Sequence, residues 1–388
     1  QKTAYEIASC LVGSEMCIRD RLITMGQSYG HEDKFLVEEV ASFDQPWSMA
    51  FLPDGNFLVT EKPGKMFLMN QAGETLSEIS GVPEVAYGGQ GGLGDVAIHP
   101  DFNENKTVYV SFAEEGENDT RGAVVIKATL DLTEEGGALN NLEYIWRQVP
   151  KVTGRGHYAH RMAFSEDGYL FISSGDRQKL DPAQDMTSNM GKIIRLNDDG
   201  SIPTDNPFYN DGGVAAEVWS LGHRNPLGID FDADGKLWNI EMGPRGGDEL
   251  NLVLKGEDYG YPTVSNGIHY NGSNIPNHDT RPEFEEPKEW WGDGDSIPVI
   301  SPSSFVIYQG DLFYDWQGSG FISGLSSESL IRVQFDGDSA KEIERFDMGR
   351  RIRSVEEGPD GALWLLEDYP RRQDTSKGRL LRLTPHSH

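Results

Sequence analysis

One phrase recurs along this chain and limits what it can fold into: apolar and polar residues alternate into an Asp-Gly turn and alternate out again. It reads Met162-Ala163-Phe164-Ser165-Glu166-Asp167-Gly168-Tyr169-Leu170-Phe171. It returns around Asp54-Gly55, Asp234-Gly235 and Asp360-Gly361, and in a looser copy from Val96 to Phe102 followed by Val108-Tyr109-Val110. Alternation about a glycine turn is the signature of a β-hairpin. Hairpins repeating without a long amphipathic helix predict an all-β repeat fold. About 360 residues in units of roughly 60 give about six units, within the range of β-propeller blades. The expectation is a six-bladed β-propeller of four-stranded antiparallel sheets, one domain over residues 35–385. Each blade needs neighbours to cover its faces. A two-sheet sandwich is the rival all-β reading, but it rarely needs this length. Segments 179–215 and 260–300, rich in Gly, Pro, Asn and Asp, are predicted to be long loops over one rim.

Charge narrows the partners. The net charge is −29, from 34 basic and 63 acidic residues. That excludes a phosphate-reading surface for nucleic acid and an anionic membrane face. Basic residues that converge would therefore point to an anionic ligand. Both cysteines, Cys10 and Cys17, precede residue 18, so neither a disulfide nor a thiol serves the main fold. No apolar run is long enough to span a membrane. Residues 1–24 lack the layout of a secretory signal. Their "SEMCIRDR" resembles translated sequencing-adapter read, so they are expected to be a non-native or disordered leader, with Met25 as the candidate start.

Residues 222–251 place a polar knot at each end of one hairpin: Gly222-His223-Arg224-Asn225-Pro226 and Gly243-Pro244-Arg245-Gly246-Gly247-Asp248-Glu249. A hairpin returns its ends to one rim, so both knots belong to one candidate site. His157, just before a strand, suits a general base or a solvated loop histidine. Asp176, at the end of the returning strand, either orients that imidazole or caps its own turn. Arg224 and Asn225 offer donors for a carboxylate or a polarised carbonyl. Arg351 and Arg353 alternate on a strand and share a face, either gripping an anion or forming a salt-bridged edge. The carbonyls around Gly243 and Pro244 suit calcium, and Glu249 and Tyr259 a second oxygen-rich site.

The stretches "PWSMAFLPDGNFLVTEKPGKM", "GGQGGLGDVAIHPDF", "QDMTSNMGKIIRLNDDGSIPTDNPF", "GHRNPLGIDFDADGKLW", "GPRGGDELNLV" and "RIRSVEEGPDGALWLLED" resemble, in order, the soluble glucose/sorbosone dehydrogenases that use pyrroloquinoline quinone (PQQ). Among these the resemblance is strongest to bacterial aldose sugar dehydrogenases. It implies a six-bladed propeller with PQQ and Ca2+ at the channel mouth, oxidising the C1 hydroxyl of aldoses to lactones and passing electrons to a soluble acceptor. It implies His157 as base beside Asp176, Gln90 as a substrate and cofactor contact, and Arg224 and Asn225 against the quinone. It gives Gly243 and Pro244 to the calcium beneath the cofactor, Glu249 and Tyr259 to a further calcium, and Arg351 and Arg353 to the cofactor's carboxylates. A periplasmic or secreted location and a monomer or homodimer are expected.

Two departures stand out. Where relatives carry a lysine against the cofactor, this chain has Ser323-Gly324-Leu325-Ser326. Where they carry an aromatic residue, Ser296-Ile297-Pro298 precede Ser301-Pro302-Ser303. The competing functions are a calcium-dependent lactonase-like hydrolase and a non-catalytic sugar-binding propeller.

Overall fold

A computed structural model describes residues 34–293, 298–369 and 376–386. The leader expected at 1–24 lies outside them, as do Ser296 and Ile297.

Each copy of the phrase forms two neighbouring antiparallel strands, and two more strands complete each sheet. The first run of four is Pro46–Phe51, Phe57–Glu61, Lys65–Met69 and Thr75–Ser80. The second is Leu93–Ile98, Thr107–Glu115, Thr120–Thr133 and Gly136–Arg147. A short parallel pairing, Ile79 opposite Gly137, joins these two runs into one larger sheet. Separate four-stranded sheets begin at Ala159–Phe164, Pro226–Phe231 and Pro302–Ile307. The last holds Ile352–Glu357, Leu363–Glu367 and Lys377–Thr384, and its outer strand is Leu36–Asp44 from the other end of the chain. The described N- and C-terminal strands thus close one sheet between them.

The first strand of each run packs against the first strand of the next. Ile352–Glu357 returns to Pro46–Phe51, so these inner strands form a closed ring. Hydrophobic burial follows the ring. Separate clusters lie between successive sheets: Leu58 with Val110, Tyr109 with Ile172, Ile193 with Ile229, Trp238 with Phe305, Phe321 with Leu365, and Trp364 with Phe57. A sandwich buries one core between two sheets, whereas this chain buries one between each pair of neighbours.

The two segments predicted as loops are only partly loops. Residues 179–215 contain the third strand of their sheet, Lys192–Leu196, and residues 260–300 contain the outer strand Glu289–Trp291. Lys192–Leu196 is buried at every position, so it shows no alternation. Trp291 is core, its indole Nε1 donating to Glu342 at 2.6 Å.

Arg161 ties the ring across its centre. Its guanidinium donates to Asp95 Oδ1 at 3.1 Å, to the Leu227 carbonyl at 2.9 Å and to the Ser303 carbonyl at 2.8 Å. It also covers the Trp47 ring at 3.9 Å. One buried cation therefore links strands from five of these four-strand runs.

Candidate functional site

The strand register decides which residues meet. The residues shortly before each inner strand and those just after its partner strand come to the same rim. The first set includes Gln90, His157, Asn225, Ser301 and Arg351, and the second includes Lys62, Asp176, Met242, Leu325 and Asp368. A cavity of roughly 250 Å³ opens there, lined by Gln90, Asn225, Arg351 and Arg353 from the sequence-predicted set. Trp47, Lys62 and Tyr270, which sequence reasoning missed, line it too.

His157 stands beside the cavity, buried to 4 % exposure. Its Nδ1 lies 2.6 Å from Asp176 Oδ1, and its backbone N–H donates to Gln90 Oε1 at 2.7 Å. Asp176 is fully buried and also accepts from the backbone N–H of Gln178 at 2.9 Å. Burial pushes the His157 pKa below its ordinary value; the Asp176 hydrogen bond opposes this and the nearby Arg224 charge reinforces it. The neutral imidazole therefore donates Nδ1–H to Asp176 and keeps a lone pair on Nε2. The backbone here is unusual. His157, Ala159, His160, Arg177 and Gln178 all have positive φ, between 49° and 59°. Such strain in residues with side chains clusters at functional sites.

Arg224 and Asn225 enter from the next sheet. The Asp176 backbone N–H donates to the Arg224 carbonyl at 2.8 Å, which ties the two rims together. Arg224 Nη1 donates to the carbonyls of Met242 (2.7 Å) and Gly243. The Asn225 amide is buried with neither its oxygen nor its nitrogen hydrogen-bonded, and the residue lines the cavity. A buried, unsatisfied amide at a cavity wall points to a polar ligand.

The arginine pair is anchored. Arg351 Nε donates to Asp368 Oδ2 at 2.9 Å and Arg353 Nη2 lies 3.1 Å from the same oxygen. Burial pushes the Asp368 carboxyl up, but the two arginines outweigh it and hold it below the usual range. Asp368 keeps the two cations together. Arg353 Nε remains buried without a partner.

The candidate cation ligands divide. The Gly243 carbonyl does face a positive charge, now the Arg224 guanidinium, so its donor chemistry fits a cation that displaces that contact. Pro244 beside it is half-buried. Glu249 and Tyr259 lie behind the rim. His278 Nε2 stands 3.4 Å from Glu249 Oε1, and the Tyr259 hydroxyl bonds Leu252 O and Leu254 N, which leaves only its carbonyl for a metal. Among the described residues no group of three or more His, Cys, Asp or Glu is arranged to hold a metal. Ser326 is exposed, 2.7 Å from Ser301 Oγ, while Leu325 lines the cavity.

Comparison with known proteins places this rim in context. The chain is 38% identical over 352 residues to aldose sugar dehydrogenase YliI of Escherichia coli (strain K12), covering 89% of this chain and 91% of that one. It is 27% identical over 410 residues to quinoprotein glucose dehydrogenase B of Acinetobacter calcoaceticus, covering 85% and 84%. Its fold is similar to the PQQ-bound form of aldose sugar dehydrogenase from Streptomyces coelicolor, with a TM-score of 0.72 at 26% identity over 91% of this chain and 99% of that one. Residues 43–382 match the family described as Glucose / Sorbosone dehydrogenase, and the chain belongs to that family.

Proposed function

We propose that this chain is a six-bladed β-propeller that oxidises the C1 hydroxyl of aldose sugars to lactones with PQQ and calcium. The observation that carries the reading is the charge of the cavity. In a chain of net charge −29, the fully charged side chains lining it are Lys62, Arg351 and Arg353, all cationic. Such a lining suits a poly-anion, and PQQ carries three carboxylates. A lactonase-like hydrolase would want carboxylates and a metal in that place, so it is the weaker reading.

PQQ held by Arg351 and Arg353 would supply the two-electron acceptor for the hydrogen on sugar C1. The residues of the chain supply the rest. His157 Nε2 takes the proton of the C1 hydroxyl as the C1–H bond breaks, so C1 becomes a carbonyl and no charge is left on its oxygen. Asp176 fixes the Nδ1–H tautomer that makes Nε2 the base and stabilises the imidazolium that forms. Gln90 holds the His157 backbone in place. Arg224 and Asn225 present donors to developing negative charge. Arg351 and Arg353 bind carboxylate. The carbonyls of Gly243 and Pro244 would hold calcium, a Lewis acid, and Glu249 with the Tyr259 carbonyl a further ion. Among the described residues no helix is long and apolar enough to cross a membrane, and the reading places the protein in the periplasm.

The test is dye reduction by purified protein supplied with PQQ, calcium and a panel of aldoses. Turnover with at least one aldose is expected, and it should depend on PQQ. Hydrolysis of gluconolactone without PQQ, in the absence of any dye reduction, would favour the hydrolase instead.

A further inference from the structure

The second residue of each inner strand forms the next tier down from the rim. These residues are Trp47, Gly94, His160, Leu227, Ser303 and Arg353. Trp47, His160, Leu227 and Arg353 line the cavity. Arg161 lies beneath, donating to the carbonyls of Leu227 and Ser303. The tier is therefore the cavity floor. Around the ring of inner strands, His160 and Arg353 stand on opposite sides of it.

His160 is 2 % exposed. One face of its ring stacks on Trp47, with centroids 5.0 Å apart and planes 12° off parallel. The Nδ1 edge turns into the wall, 2.7 Å from Ser111 Oγ. Gly94 makes room for that edge: a methyl group there would stand 1.9 Å from Cε1 and 2.3 Å from Nδ1. The Nε2 edge is left for the cavity.

Ser111 decides the tautomer. It is fully buried, and its Oγ accepts the backbone N–H of Asp95 at 2.8 Å. Among the described residues, the acceptor in reach of its hydroxyl hydrogen is His160 Nδ1. A buried hydroxyl donates as well as accepts, so Ser111 gives its hydrogen to Nδ1. The ring proton is then on Nε2. Burial, reinforced by the Arg161 charge and opposed by the residue's own backbone, pushes the His160 pKa down to about 3, so the ring stays neutral. His157 shows the reverse. Its partner is the carboxylate of Asp176, which accepts only, so its proton is on Nδ1. Two histidines on one strand entry therefore present opposite atoms, a lone pair from one and an N–H from the other.

We infer that His160 is a neutral hydrogen-bond donor of the cofactor site, its Nε2–H received by an oxygen of bound PQQ on the side opposite Arg353. The inference rests on the proposed use of PQQ and concerns binding, not turnover. Carboxylate and quinone oxygens accept but do not donate, so a histidine presenting a lone pair there would repel them. An uncharged N–H adds a directed contact without another charge to desolvate.

The experiment uses the full chain, isotope-labelled in its histidine nitrogens and studied by NMR. In the ligand-free protein His160, identified by its through-space contacts to the Trp47 indole, should carry its proton on Nε2, and His157 on Nδ1. Adding PQQ should move the His160 Nε2–H signal downfield, a readout that needs no variant to fold. A fluorescence titration with PQQ then compares two variants. Asparagine puts its amide near the Nδ1 position, which keeps a partner for Ser111 but no donor toward the cavity. Glutamine puts its amide near the Nε2 position. His160→Asn should raise Kd about three- to tenfold, the loss of one neutral hydrogen bond, and His160→Gln should stay closer to wild type. A proton on Nδ1 of His160, an Nε2–H signal unmoved by PQQ that does bind, or equal weakening in both variants would overturn the inference and leave PQQ binding intact. A wild type that binds no PQQ would overturn the underlying functional reading as well.

Discussion

Replacing His157 by alanine should lower kcat for aldose oxidation by about 10²- to 10⁴-fold, the usual contribution of a positioned general base. PQQ affinity should hardly change. The reason lies in the geometry. The imidazole's Nδ1 is committed to Asp176 at 2.6 Å, its backbone is held by Gln90, and its side chain is not part of the arginine clamp. The pH profile gives an independent check. Burial, opposed by the Asp176 hydrogen bond and aided by the Arg224 charge, lowers the pKa of His157. A base works in its neutral form, so kcat should fall as pH drops through that pKa, and the acid limb should lie below about 6.5, the ordinary histidine value. The alanine variant should lack this limb. An unchanged kcat, or a limb that persists in the variant, would remove His157 from its role.

Replacing Arg161 by methionine should destabilise the fold by about 3–5 kcal/mol, the cost of leaving a buried carboxylate without its partner. Arg161 and Asp95 are 4 % and 6 % exposed, and the guanidinium also satisfies the carbonyls of Leu227 and Ser303. Methionine keeps much of the volume over Trp47 but none of these bonds. Urea denaturation is the measurement. The double variant with Asp95→Asn should recover part of the loss, because the orphaned charge is then gone. A single variant within about 1 kcal/mol of wild type would show that the central tie is dispensable.

The inner hairpins were legible because in each an Asp-Gly turn joins two apolar-rich strands. Pro46–Phe51 with Phe57–Glu61, and Pro226–Phe231 with Leu237–Glu241, fall where the repeated phrase puts them. The fifth sheet was hidden. Its inner pair is joined through Tyr314–Trp316 rather than by an Asp-Gly turn. Lys192–Leu196 was lost because it is a short strand inside the stretch 179–215, whose richness in Gly, Pro, Asn and Asp reads as loop. The pairing of Leu36 with Thr384 had no local signal, since the partners lie at opposite ends of the chain.

At the site, His157 with Asp176 and the Arg351–Arg353 pair were readable from hairpin geometry and strand alternation. Asp368, which holds those arginines together, was not singled out, although it follows its strand as Lys62 follows another. Lys62 could have been found by applying the register rule to every sheet. Tyr270 could not, because it enters from the long segment after residue 260. Nor could sequence reveal that the Gly243 carbonyl faces the Arg224 guanidinium.

The central claim is that this cavity holds PQQ, and retention of the cofactor tests it most directly. Purified protein would be mixed with PQQ in calcium buffer, passed through a desalting column and scanned for the cofactor's absorbance. The expected result is close to one PQQ per chain, with retention much reduced when Arg351 and Arg353 are both replaced by alanine. Protein that emerges without PQQ absorbance, or a double variant that retains as much as wild type, would contradict the account.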